Sequence, residues 1–374
     1  MKRRKTLALL AAGTGVALAL TACGANSSSG GSGSGDQGSS NNGGPKVGVI
    51  LPETATSARW AAFDQPMLQA ALTKAGLNPI IENAQGDNQK FSQYADSMLS
   101  QGVKVLIIGA PSGDVGATVE QKAAQQGVPV IDYDRLNLGG SANYYVSFDN
   151  TRVGELQGQA LADSLKDKPG AQVIEIEGSP TDNNATLFHN GQENIVGPLY
   201  TSGALKKVAS QAIDGWDNQK GGTTFEQLLS ANGGKVDGVL AANDGLAGAI
   251  ITVLQRAGLA GKVPVTGQDA SAAGLKAILQ GLQYSTVFKP IQQEADAAAQ
   301  LAAALAKGDT AGADKIATAS SQDPKNGRTV KSVLLTPQSI TKDNVKTVID
   351  QGYVKASEIC TDSAAAVCTQ LGIS

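Results

Sequence analysis

The stretch GVPVIDYDRLNL, residues 127–138, reads as a short apolar strand that stops in an acid and a base, Asp134 and Arg135. In a chain with 17% charged residues and a single histidine, two adjacent opposite charges at the end of a buried strand call for an explanation. Outward from it, VPVIDY is one of four short apolar runs in the first part of the chain, with KVGVIL (46–51), PIIEN (79–83) and VKVLIIG (103–109). Amphipathic stretches near 57–75, 88–101 and 115–126 separate them, and this strand, helix, strand repetition predicts βαβ units. The pattern restarts after Asn150 with AQVIEIEG (171–178), KKVASQAI (206–213), VDGVLAAND (236–244) and VPVTGQDA (263–270), separated by helices near 151–165, 182–197, 222–231 and 245–257. Runs that are apolar on both faces predict parallel strands covered by helices on each side. Residues 46–374 are more than one core usually organises. The expected fold is α/β, with two parallel-sheet lobes in tandem and, on this reading alone, a single boundary near Asn150.

In open parallel sheets the ligand crevice lies beyond the carboxyl ends of the strands, so the residues at which strands stop matter most. In chain order they are Glu53, Arg59 and Trp60; Asp134 and Arg135; Asp182, Asn183 and Asn184; Trp216; Asn243 and Asp244; Asp269; and Lys289 after YSTVF. Asp134 and Arg135 could instead pair with each other or cap the next element. The recurrence of charges and amides at most strand ends favours a common site. The two tryptophans of the chain, Trp60 and Trp216, fall one in each half. An indole is a platform for a flat apolar face, and a sugar ring offers such a face within a rim of hydroxyls. Asp, Asn and Arg suit that rim because each can engage two adjacent hydroxyls. The alternative is that both indoles are core residues.

A net charge of −3 supplies no basic face to neutralise phosphates, so nucleic acid is not an expected partner. A G-x-S-x-G elbow, a phosphate-binding Walker loop and a G-x-G-x-x-G turn at a strand end are absent from the sequence. His189, in the predicted helix NNATLFHNGQEN, reads as a helix-surface or packing residue. Carboxylates are numerous enough for a glycosidase pair, but nothing singles out two of them. No catalytic residue, cofactor or metal site is expected.

The chain begins with the basic cluster MKRRK and an apolar run from Thr6 to Ala22, a signal peptide over residues 1–22. The run ends in LTAC, the pattern of a bacterial lipoprotein processing site, which would make Cys23 the lipidated first residue; a retained signal anchor is the alternative. Residues 23–45 are Gly/Ser-rich with almost no apolar side chain and read as a flexible tether. The expected location is extracytoplasmic, anchored by lipid to the outer face of the cell membrane. Cys360 and Cys368 are expected to be joined in an oxidising compartment, since two cysteines without nearby histidines cannot complete a zinc site.

The motifs DYDRL, VSFDNTRVGELQ, GSPTDNNATLF, AANDGLAGAI, GQDAS and TVFKPI, in that order between about Lys46 and Gly352, resemble the xylose-binding type of periplasmic sugar-binding protein. The resemblance implies a type I binding-protein fold whose chain crosses three times between lobes: 46–150 plus 290–329 in the first, 151–289 plus 330–374 in the second. It implies that PIQQEADAAAQLAAALAKGD returns to the first lobe as a helix and VKSVLLTPQSI rejoins the second. Sugar contacts would be Arg59 and Trp60 in ARW, Asp134 and Arg135 in YDRL, Asn184 in DNNA, Trp216 in DGW, Asn243 in AND, Asp269 in GQD and Lys289 in FKP. The implied ligand is a monosaccharide, D-xylose or a related pentose. The implied partners are an ABC permease and its ATPase, served by a monomeric binding protein. A sensory role coupled to a membrane receptor is a second reading, and a secreted sugar-processing enzyme a third. The lipid tether and the two C-terminal cysteines depart from the family pattern.

Overall fold

A computed structural model of the chain describes residues 43–373. The signal peptide, Cys23 and all but the last three residues of the tether lie outside the described residues. In the first lobe, β1 (Lys46–Leu51), β2 (Asn78–Asn83), β3 (Val105–Ile108), β4 (Val130–Tyr133) and β5 (Tyr144–Phe148) run parallel in the spatial order β5-β4-β3-β1-β2. Between them lie a π-helical turn at Trp60–Asp64, α1 (Gln65–Lys74), α2 (Asn88–Ser100) and α3 (Gly113–Gln125). Both faces of the sheet are apolar, as parallel sheets require. Val47, Val49 and Leu51 pack into one core with Ile107, Ile131 and Val146; Ile50, Leu106 and Ile108 join Phe91, Met98 and Val119 in another.

The second lobe begins with α4 (Asn150–Leu165) and continues through β6 (Ala171–Glu177), α5 (Asn183–Ser202), β7 (Leu205–Ala212), α6 (Asn218–Ala231), β8 (Gly238–Ala241), α7 (Asp244–Arg256), α8 (Ala272–Leu279) and β9 (Ser285–Phe288). Its strands β7-β6-β8 are parallel. The run VPVTGQDA, expected as a strand, contributes only a single bridge, Val265 against Val239. Pro264 has no N–H to donate, and the chain turns at Asp269 and Ala270, whose φ angles are 98° and 48°.

The chain then recrosses. Helix α9 (Ile291–Ala306) lays Ala295, Ala298, Leu301 and Ala302 onto the core that holds Val47 and Val49. After α10 (Thr310–Ile316), β10 (Ala319–Asp323) and β11 (Arg328–Leu335) extend the first sheet. Strand β11 pairs in parallel with β5 from Lys331↔Tyr144 to Leu335↔Phe148. The expected boundary at 329/330 is thus too early. Val330, buried in the first lobe, and the ladder to β5 hold the segment there until Leu335. The third crossing falls between Leu335 and β12 (Gln338–Thr341), which pairs antiparallel with β9. Three short helices follow, and Cys360 is joined to Cys368 with Cα atoms 5.8 Å apart. No helix among the described residues is long and apolar enough to cross a membrane.

Candidate ligand-binding cleft

The strand ends of both lobes converge on one cleft enclosing about 330 Å³, part of it open to solvent. Its walls carry all nine residues singled out in the sequence: Arg59, Trp60, Asp134, Arg135, Asn184, Trp216, Asn243, Asp269 and Lys289. Glu53 and Asp182 line it too, as do Thr56, Ser57, Phe188 and Gln268, which sequence reasoning missed. Small hydroxyls and amides leave no sequence signal unless the loop path is known. Asn183 faces a separate pocket beside Phe148 and Asn150. Asp244 is buried and accepts bonds from Ser271 N (2.8 Å), Ser271 Oγ (3.0 Å), Gln283 Nε2 (2.8 Å) and Thr286 Oγ1 (2.8 Å). It holds the Asp269 turn from behind.

Asp134 and Arg135, adjacent in sequence, do not pair with each other. Asp134 Oδ2 accepts from Arg59 Nη1 at 2.7 Å and lies 3.5 Å from Lys289 Nζ. Arg135 Nε lies 2.9 Å from Asp182 Oδ2 on the opposite wall, close enough for an ion pair but off the line of a hydrogen bond. Burial alone would raise the Asp134 carboxyl, but Arg59, Lys289 and Arg135 outweigh it and hold the group well below the usual carboxylate range. Arg59 is clamped from three sides: by Asp64 through Nε (2.9 Å) and Nη2 (2.6 Å), by Asp134, and by Glu294 of α9 at 2.9 Å. Burial opposes its charge, yet Asp134, Asp64 and Glu294 push its pKa above the ordinary value. Glu294, in turn, is pushed up by burial and by the charges of Asp134 and Asp64 against the pull of Arg59.

Several contacts bridge the lobes across the cleft mouth. Ser57 Oγ donates to Asp269 Oδ2 (2.9 Å), Asn218 Nδ2 to the Thr56 carbonyl (3.2 Å), and Asn184 Nδ2 to the Asp134 carbonyl (2.8 Å). The two lobes are therefore closed on each other. Among the described residues six non-glycine residues have positive φ, and four of them, Asp134 (62°), Trp216 (58°), Asp269 (98°) and its neighbour Ala270 (48°), sit at or beside this cleft. Backbone strain concentrated in one place is typical of binding sites.

The tryptophans satisfy both readings at once. Trp60, 2% exposed, belongs to the first-lobe core and Trp216, 7% exposed, to the second, and each also presents its indole to the cleft. The Arg59 and Arg135 guanidinium carbons lie 4.5 and 5.3 Å from the Trp60 ring centroid. Trp216 Nε1 donates to Asp182 Oδ2 at 3.1 Å. A Cβ on Gly178 would come within 2.1 Å of the Trp216 ring, so the indole needs that glycine. Asn243 Oδ1 caps α7 through Leu246 N (2.9 Å), which leaves its amide hydrogens free. Gln268 Oε1, Asp269 Oδ1 and Arg135 Nε are buried without hydrogen-bond partners among the described residues. Three cations, Arg59, Arg135 and Lys289, face four carboxylates, Asp134, Asp182, Asp269 and Glu53, the last of which accepts from the backbone N–H groups of Thr56 and Ser57. Donors and acceptors so interleaved suit a ligand that can both give and accept hydrogen bonds.

Two α/β lobes, three crossings and a closed polar cleft between strand ends define a ligand-binding protein of the two-lobed type. The chain belongs to the periplasmic binding proteins: residues 47–310 match the family model for the periplasmic binding protein domain. It is 37% identical over 315 residues to the D-xylose-binding periplasmic protein of Escherichia coli strain K12, covering 84% of this chain and 92% of that one. It is 35% identical to the multiple sugar-binding periplasmic receptor ChvE of Rhizobium radiobacter, again over 84% and 92% of the two chains. Among solved structures, the ABC transporter solute-binding protein of Clostridium phytofermentans with bound β-D-glucose superposes with a TM-score of 0.73 at 28% identity, over 84% of this chain and 99% of that one.

Proposed function

We propose that this protein captures a monosaccharide, D-xylose or a closely related pentose, between its two lobes and delivers it to an ABC importer outside the cytoplasm. The observation that carries the reading is the set of buried groups without a hydrogen-bond partner among the described residues, Gln268 Oε1, Asp269 Oδ1 and Arg135 Nε, on residues that line the same cleft as two indoles and a ring of opposed charges. A buried polar atom without a partner is unfavourable, and the hydroxyls of a sugar would complete these three. Trp60 would lie against one side of the ring, with Trp216 on the other or at its edge. The sugar's contacts to both walls would favour the closed state over the open one. Five or six hydrogen bonds to charged groups, at about 1.5–3 kcal/mol each, exceed the roughly 8 kcal/mol of a micromolar complex. Closure and immobilisation consume the difference, so affinity near micromolar is expected.

Xylose is favoured by the 37% identity to a D-xylose-binding protein, while the glucose-bound and multiple-sugar relatives define the competitors. The match to a receptor also supports a sensory partner as a second reading. Lipid on Cys23 would tether the protein to the membrane, and Cys23→Ala should then release it into the medium. Calorimetric titration with xylose, ribose, arabinose, glucose and galactose tests the main reading. Xylose should bind most tightly, without turnover. No binding of any of these sugars would refute it.

A further inference from the structure

Strand β6 breaks its own pattern. Val173, Ile174 and Ile176 are buried apolar residues, yet Glu175 and Glu177, two apart and so on one face, carry carboxyls into the layer beneath α5. Glu175 is 1% exposed and Glu177 9%. The single histidine, which reads in the sequence as a surface or packing residue, projects from α5 to meet them. His189 Nδ1 is 2.9 Å from Glu177 Oε1. Donor atoms of the three side chains all lie within 4.8 Å of one another.

Neighbouring groups do not balance these carboxylates. Tyr200 Oη donates to Glu175 Oε1 at 2.7 Å. Lys207 Nζ is 3.4 Å from Glu175 Oε2 but is bound more closely by Glu193. Glu175 Oε2 and Glu177 Oε2 have no hydrogen-bond partner among the described residues. Lys207 is thus shared between Glu175 and Glu193 and forms no ion pair with Glu177, and a buried charge left without compensation is strongly unfavourable.

We propose that Glu175, Glu177 and His189 form a binding site for a first-row divalent cation of the zinc class, separate from the sugar cleft. Three ligands of N, O, O type with an open position for water match such an ion. An imidazole ligand argues against magnesium and calcium, which take oxygen. In a tetrahedral site with ligands at 2.0–2.2 Å, donors sit about 3.3–3.6 Å apart, so the cluster needs only a short contraction. The Tyr200 hydroxyl, bonded to Glu175 Oε1, would fix the orientation of that carboxylate toward the ion. The His189 side chain is 38% exposed, which leaves an entry path from solvent. In the competing arrangement a proton on His189 compensates Glu177 and no metal binds.

The test uses the full chain carrying Cys23→Ser, so that no free thiol competes, stripped with chelator and titrated calorimetrically with zinc chloride. One zinc per chain is expected, with affinity weakened at least tenfold by Glu177→Gln, which keeps the side-chain shape, and by His189→Ala. Cobalt(II) added in place of zinc should give visible absorption bands that His189→Ala removes, and an excess of magnesium or calcium should not displace zinc. Circular dichroism confirms that each variant is folded, and Glu177→Gln stands as the test if His189→Ala is not. Failure of zinc to saturate the parent chain, or equal binding by the folded variants, would overturn the proposal.

Discussion

Asp269 is the residue at which cleft chemistry and lobe closure meet. One carboxylate oxygen takes the Ser57 hydroxyl from the other lobe at 2.9 Å, while the other is 3.5 Å from Lys289 and lacks a hydrogen-bond partner among the described residues. Asp269→Ala removes the acceptor entirely. A hydrogen bond to a charged group is worth about 1.5–3 kcal/mol, so xylose affinity should fall roughly 10- to 100-fold. Alanine at a φ of 98° also adds backbone strain of about 1–3 kcal/mol, so a second substitution is needed to separate ligand contact from local damage. Asp269→Asn keeps the shape, tolerates left-handed backbone better and removes only the charge. A neutral bond is worth about 0.5–1.5 kcal/mol, so the loss should be about 1–1.5 kcal/mol, or roughly 5- to 12-fold. Isothermal titration with xylose measures both, with thermal unfolding as the control for folding. Unchanged affinity in the two variants would remove Asp269 from the site and contradict the reasoning that placed it there.

Gly178→Ala drives a methyl group into the Trp216 ring; sugar affinity should drop at least tenfold and tryptophan emission should shift, and an unaltered emission spectrum with normal affinity would show that the indole position is unimportant. Asp244 is pushed up to about 6, chiefly by burial, with the Asp269 charge adding to it against bonds from Gln283 and Thr286. Its unfolded value is near 3.9, so between about pH 4 and 6 the folded chain binds the extra proton. The contribution of this group to stability therefore declines as pH rises through that window and is flat above it. Denaturant unfolding at several pH values should show this slope in the parent chain and not in Asp244→Asn; identical slopes would refute it. Replacing Cys360 and Cys368 together by serine should lower stability by about 2–3 kcal/mol, from the short loop they close, and leave xylose affinity unchanged, because the pair packs with Leu275 and Val348 away from the cleft.

Much of this architecture is readable from residue order because parallel strands are apolar on both faces and stop in polar residues that must face something. That is why KVGVIL and VPVIDY announce themselves, and why the strand-end residues include the nine that the family resemblance picks out. Strand β5 is hard to read because its NYYVSF core is short and tyrosine-rich, and the β10–β11 pair because an edge strand such as ATASSQD carries little apolar signal. The crossing after Leu335 leaves no mark for a related reason: VKSVLL continues into TPQSI without a helix or glycine turn to signal the change of lobe. What the sequence conceals most fully is partnership. Arg135 pairs with Asp182 rather than with its neighbour, and Arg59 depends on Asp64 and on Glu294, 235 positions away. Such contacts exist only once two helices and two strands from separate βαβ units have packed.

The convergence of strand ends from both lobes on one monosaccharide is tested most directly by a crystal structure of the protein grown with D-xylose. A single pentose ring between Trp60 and Trp216, its hydroxyls bonded to Asp269, Arg135 and Gln268, is the expected result. A sugar bound elsewhere, or a cleft that stays closed around solvent at saturating xylose, would contradict it.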